Sequence, residues 1–280
     1  MSGRTGPLAG LKVVEIAGLG PVPYCGMLLS DMGADVVMVE RPEPGATGSA
    51  PRGALERGRR YLTLDAKRPE CVEVLLRMVE RSDALIEGFR PGVAERLGFG
   101  PDVCLARNPR LVYGRVTGWG REGPLAQAAG HDLNYIALSG LLHAIGTPGG
   151  KPVVPLNVIG DFGGGGLLLA FGVVCALLSA RQTGRGQVVD AAMLDGAASF
   201  MAPFTQRDGS WGFDERPGRS LLAGAAPYYD TYETRDGGYI SVAAIEPAFH
   251  RLLVEKLGLD PARFSRAAFP AYDAATRDEV

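Results

Sequence analysis

The first apolar run, residues 11–16, is short, rich in valine and isoleucine and bounded by Gly10 and Gly18, which predicts a buried strand. Residues 24–32 carry apolar positions at helical spacing and stop at Gly33, and residues 34–40 return to a strand pattern. Strand, helix and strand in so short a stretch form a βαβ unit, whose strands pair in parallel. Further strands at 61–64, 84–87 and 111–116 alternate with helical segments. One of these, 70–80, follows Pro69 in a favourable first-turn position. Up to about residue 120 the pattern is α/β.

A glycine-rich turn at 118–123, closed by Pro124, is followed by helical periodicity in 132–145 and 167–181, a strand-like 187–189 and a helix over 191–201. Residues 207–224, rich in glycine and charge, read as a linker. Beyond them, strands at 228–233 and 239–244 flank Asp236-Gly237-Gly238, a hairpin signal, and a helix follows over 247–257. The expected organisation is a Rossmann-like parallel-sheet α/β domain over 1–206, the linker 207–224, and a smaller α+β domain over 225–280 that has barely begun when the chain stops. Residues 162–180 hold no charged side chain and approach the ~20 residues of a membrane span. The glycines at their start and the lack of a flanking basic cluster favour a buried core helix instead.

At 280 residues and 46% hydrophobic, the chain can bury a full core. A net charge of −2 gives no overall attraction to nucleic acid or anionic lipid, so anion binding has to be local. Cys25, Cys71, Cys104 and Cys175 show no CxxC spacing, and with three histidines they suggest neither a disulfide framework nor a zinc site. No secretion or organelle signal is legible at either end, so the cytoplasm is the expected location.

Gly18-Leu19-Gly20, with Glu40 ending the next strand, invites a dinucleotide reading, but Pro21 and Pro23 replace the third glycine and offer no N–H to a pyrophosphate. The cations Arg41, Arg52, Arg57, Arg59, Arg60, Lys67, Arg90 and Arg96 follow strand ends and are expected at one sheet edge, where forked guanidinium groups suit a phosphorylated nucleotide. They read equally as a solvated face balanced by Glu40, Glu43, Glu56 and Glu95. In Gly130-His131-Asp132-Leu133-Asn134-Tyr135 a histidine and an aspartate stand where a loop enters a helix, as a site for developing negative charge or as an N-cap beside a surface histidine. Asp161 precedes the run Gly163 to Gly166, which implies close approach to the backbone, and could equally be a plain N-cap. Glu246, in a first turn, is ordinary by itself.

Together, the segments GLKVVEIAGLGPVPYCGMLLSDMGADVVMVERP, LIEGFRPGVAERLGFGP, TGWGREGPLAQAAGHDLNY, NVIGDFGGGG, GQVVDAAMLDG and APYYDTYETRDGGYISVAAIEP resemble the α-methylacyl-CoA racemases of the family III CoA-transferase superfamily. The likeness implies that superfamily's fold and an interlocked homodimer. It assigns the two catalytic acid/bases to His131, paired with Glu246, and Asp161, paired with Asp132. It assigns coenzyme A contacts to Arg41, to Leu64, Asp65, Ala66 and Lys67, to Gly88, Phe89 and Arg90, to Arg96, and to Gly130, His131, Asp132, Leu133, Asn134 and Tyr135. The implied partner is an acyl-CoA thioester, with no metal or redox cofactor and no nucleic acid. The implied reaction inverts the 2-methyl centre by proton exchange through an enolate held by backbone N–H groups near Asp132. Two alternatives stand beside it: a family III CoA-transferase in which Asp161 carries the acyl group covalently, and an inactive coenzyme A-binding fragment.

Overall fold

The structure, a computed structural model, describes residues 4–42, 53–205 and 216–264. The chain divides into two compact units, Met1–Ser139 with Pro155–Ser199, and Gly140–Val154 with Phe200–Val280.

The first unit is built on six parallel strands: β1 (Lys12–Ile16), β2 (Asp35–Glu40), β3 (Arg60–Thr63), β4 (Ala84–Glu87), β5 (Val112–Thr117) and β6 (Gln187–Ala192). They lie in the order β3-β2-β1-β4-β5-β6, that of a doubly wound α/β sheet. Its helices are α1 (Pro21–Asp31), α2 (Pro69–Val79), α3 (Val93–Arg96), α4 (Pro101–Arg107), α5 (Asp132–Leu138), α7 (Leu168–Thr183) and α8 (Met193–Ser199); α6 (Leu141–Ala144) belongs to the second unit.

Strand periodicity of two sends alternate residues to opposite faces. Val13, Ile86 and Val112 pack with Cys25 and Leu29 of α1 and with Leu169 and Val173 of α7. Val14, Leu85 and Tyr113 pack with Leu75, Leu76 and Val79 of α2 and Cys104 of α4. Val72, Leu75, Leu76 and Val79 are the buried stripe of α2, at the spacing that faces one side of a helix. Each such side chain contributes about 1.5–3 kcal/mol by leaving water.

Several expected bounds shift. The predicted helix 132–145 is two helices, because Gly140 adopts φ +83 between α5 and α6. The predicted helix 191–201 is shorter, since β6 runs on to Ala192 alongside Thr117. The expected core helix is buried on one face only: Leu169, Val173, Ala176 and Ala180 are buried, while Phe171 and Leu178 on the other face are exposed. By length and composition, Val158–Thr183 is apolar enough to cross a membrane.

The second unit holds the antiparallel hairpin β7 (Tyr229–Glu233) and β8 (Tyr239–Ala243) and the helix α9 (Pro247–Lys256). Ala226, Tyr228, Ala244, Val254 and Phe264 form its core.

Candidate active site

The strand order reverses direction between β1 and β4, and in such sheets ligands bind at the carboxyl ends flanking that point. There β1 leads through Gly18-Leu19-Gly20 into α1. Gly20 has φ +64, and a Cβ on it would lie 2.7 Å from Asp161 Oδ2. The carboxyl group of Asp161 therefore sits against the turn where a dinucleotide's pyrophosphate would rest, which removes the dinucleotide alternative.

Asp161 is not an N-cap. It lies inside a π-helical segment, Val158–Leu167, that runs straight into α7, and Asn157 holds the cap position. Leu156, just before it, has φ +58, a costly conformation for a branched side chain. The glycine run has a packing reason. Positions for a Cβ on Gly164 lie 2.8 Å from Ala197 N and 2.9 Å from Met193 O, and on Gly166 2.6 Å from Pro21 O. Close approach was expected, and what approaches is the protein's own backbone at α8 and α1.

Asp132 opens α5, with His131 in its cap position. Its side chain is buried, and Oδ1 accepts the Asp161 N–H at 2.7 Å. The pairing of the two aspartates is thus carboxylate to backbone. Gly160 makes room for it, since a Cβ there would lie 2.8 Å from that oxygen. Oδ2 of Asp132 is buried without a hydrogen-bond partner. His131 is exposed, and its backbone N–H donates to Asn134 Oδ1 at 3.0 Å. Tyr135 is buried edge-on to Trp119, with ring centroids 4.7 Å apart, and lies so close over Gly118 that a Cβ there would overlap its ring.

Burial holds the Asp161 carboxyl above the usual carboxylate range; Asn157 opposes this by donating from Nδ2 to Oδ2 at 3.1 Å, the charge of Asp132 adds to the rise, and His131 opposes it. Burial also raises the Tyr135 phenol, helped by Asp161 and Asp132 and opposed by Arg90. Asp161 thus feels both Asp132 and His131, and Tyr135 feels Asp161, Asp132 and Arg90. Asn157 was not singled out in the sequence, where an asparagine four residues before an aspartate carries no signal until the helical turn between them is known.

The cations do not form one group. Arg57 pairs with Asp31, Arg59 with Glu15 at 2.6 Å in the core, and Arg60 with Asp35 at 2.6 Å; Arg52 and Glu43 lie outside the described residues. Arg41, Lys67, Arg90 and Arg96 are exposed, and no ion pair holds them among the described residues. Arg41 follows β2. Leu64, Asp65, Ala66 and Lys67 follow β3 next to it, where Leu64 N–H donates to Glu40 O at 2.8 Å and Lys67 N–H to Asp65 Oδ1 at 3.0 Å. Gly88, Phe89 and Arg90 follow β4. The segments that the resemblance assigns to coenzyme A thus leave the carboxyl ends of β2, β3 and β4 or lie where the chain enters α5, except Arg96, which ends α3. Glu246 is exposed in the cap position of α9, in the second unit.

An exposed histidine, a half-buried aspartate and unpaired cations in these segments suit an anionic ligand with a carbon acid. The chain belongs to CoA-transferase family III, whose sequence profile matches residues 8–279. It is 47% identical over 268 residues to the alpha-methylacyl-CoA racemase of Mus musculus, covering 94% of this chain and 69% of that protein. To the Homo sapiens protein of the same name it is 48% identical over 256 residues, covering 90% of this chain and 65% of the relative. The chain thus spans about two thirds of the length of these relatives. The crystal structure of Rv3272 from M. tuberculosis matches with a TM-score of 0.76 at 31% identity, covering 99% of this chain and 77% of that one.

Proposed function

We propose that this chain racemises 2-methylacyl-CoA thioesters by moving one proton off and one onto the carbon beside the thioester carbonyl. The observation that carries the reading is Asp161: a half-buried carboxyl held towards its protonated form, electrostatically coupled to an exposed histidine. His131 removes the C2 proton from one face while Asp161 delivers one to the other, and the reverse reaction exchanges the roles. Asp132 positions Asp161 through its backbone N–H and, by its charge, favours the acid form. Arg41, Lys67, Arg90 and Arg96 hold the coenzyme A phosphates, aided by the loops at 64–67, 88–90 and 130–135. Glu246 supports the imidazolium of His131 across a homodimer. The chemistry calls on no metal or redox cofactor. The names and identities of the two racemases support this reading.

A second reading is acyl transfer, favoured by the family that the chain belongs to. There Asp161 would attack the thioester carbonyl, break its C–S bond to release the coenzyme A thiolate, and carry the acyl group as a mixed anhydride. His131 separates the two, since covalent transfer needs no second base.

The test is incubation with (2R)-2-methylacyl-CoA in deuterated water, following configuration and deuterium at C2. Inversion with deuterium entry, lost in His131→Ala, supports racemisation. Transfer of coenzyme A from the thioester to an added free acid, with release of the 2-methyl acid and without inversion, replaces it with the second reading.

A further inference from the structure

Glu87 ends β4 at the sheet's switch point, 2% exposed, and the mechanism above leaves it without a role. A buried carboxyl is expensive unless an ion pair or strong hydrogen bonds compensate it. The cations nearest to it are committed elsewhere. Arg115, its neighbour in register on β5, donates to Glu95 at 3.1 Å and lies 3.9 Å from Asp190; Arg121 donates to the same Glu95 oxygen at 2.9 Å and lies 3.8 Å from Asp190. These two arginines and two acids pair with one another, Arg115 Nε keeps no hydrogen-bond partner, and no hydrogen bond or ion pair among the described residues ties Glu87 to either arginine. What it does hold is backbone: its Oε2 accepts the N–H of Phe89 at 2.6 Å.

That bond lies in the turn Gly88-Phe89-Arg90. Gly88 packs so closely on α1 that a Cβ would lie 2.6 Å from Val22 Cγ2, and Gln127 Nε2 donates to Pro91 O at 3.2 Å on the far side. Between these two fixed points stands Arg90, exposed and without an acidic partner among the described residues, yet felt by Tyr135 in the active-site loop.

We infer that Glu87 is a positioning residue: its buried carboxylate latches the Phe89 N–H and so fixes the turn that presents Arg90 to the phosphates of coenzyme A. The inference rests on the coenzyme A reading of this edge. The latch is also pH-sensitive. Burial raises the Glu87 carboxyl to about 7, against Phe89 N–H, Arg115 and Arg121, which pull it down, and with Glu95, which adds to the rise; Tyr113 on β5 is the other titratable neighbour. Ionised Glu87 accepts the Phe89 N–H more strongly than the protonated form. The turn therefore tightens as pH rises through neutrality.

The experiment measures coenzyme A affinity by calorimetry from pH 5.5 to 8.5 for the wild type, Glu87→Gln and Glu87→Leu, with amide hydrogen exchange across residues 88–91. Glu87→Leu is expected to weaken binding about tenfold or more at pH 8 and to unprotect the Phe89 amide. Glu87→Gln, which keeps an acceptor, restores protection, binds within about threefold of the wild type at pH 8 and loses the part of its pH dependence centred near 7. The ligand's own phosphate titration is common to all three proteins and cancels in the comparison. A folded Glu87→Leu protein that binds like the wild type, or a Gln variant with an unchanged pH profile, overturns the latch. Should Glu87→Leu fail to fold, the Gln profile alone decides. A wild type that binds no coenzyme A at any pH overturns the reading on which the inference stands, a result distinct from binding that ignores Glu87.

Discussion

Helix α1 accommodates two carboxyl groups on two of its glycines, and they meet different fates. Gly26, in the middle of the helix, leaves room for Glu15 of β1; a Cβ there would overlap Glu15 Oε2. Both oxygens of Glu15 lie 2.6 Å from Arg59 Nη1, and neither side chain reaches solvent. Gly20, in the cap position, leaves room for Asp161, whose partners are the neutral amide of Asn157 and, through the backbone, Asp132. One carboxyl is closed by a cation inside the core. The other is half open, beside a second acid and a histidine. Burial lifts both carboxyls, Glu15 to about 7 in spite of Arg59, so what sets Asp161 apart is its half-open position and the histidine near it, which give its proton somewhere to go.

The contrast is broken most severely at the open carboxyl. Asp161→Ala is expected to lower turnover by roughly 10²–10⁴-fold, while the thermal midpoint stays close to the wild type, as read by steady-state kinetics beside calorimetry. At the closed carboxyl the order reverses. Arg59→Met strands Glu15 without its cation and should cost about 3–5 kcal/mol in denaturant unfolding. Adding Glu15→Leu should recover much of that, because a well-packed apolar pair replaces a buried ion pair at little cost.

The glycines sharpen the comparison at smaller amplitude. Gly26→Ala should destabilise by about 1–3 kcal/mol through overlap with Glu15. Gly20→Ala should cost about 1–3 kcal/mol for a backbone at φ +64 and ψ −106 that side chains avoid and also slow turnover, because its Cβ crowds the Asp161 oxygen. Equal rates for the two alanine variants would erase the distinction. Smallest is Asn157→Leu. Removing a donor that favours ionised Asp161 should move the alkaline limb of the rate profile upward, in the direction in which Asp161 delivers the proton, with the rate itself within about tenfold.

The βαβ start and the strand at 84–87 were readable from periodicity because parallel strands buried on both faces are continuous apolar runs. β6 was only partly readable: Gln187 to Val189 read as strand, while its last two residues are alanines that read as the start of a helix. The break at Gly140 was hidden because one left-handed glycine inside an apolar pattern leaves the periodicity intact. His131, Asp132 and Asp161 stood out as residue types, but their arrangement did not. That Asp132 grips the backbone of Asp161 depends on a π-helical turn with no local signature. The cations were visible as a run, yet their sorting depends on Asp31, Glu15 and Asp35, which only the sheet brings beside Arg57, Arg59 and Arg60.

Racemisation as proposed requires Asp161 and His131 to act as two independent bases on opposite faces of one carbon. It is tested most directly by offering each enantiomer of 2-methylacyl-CoA separately to Asp161→Asn in deuterated water. The enantiomer whose proton faces His131 should still exchange with solvent and keep its configuration, while the other exchanges not at all and neither inverts. Continued inversion, or the loss of exchange for both enantiomers in a protein that still folds and binds coenzyme A, would contradict it.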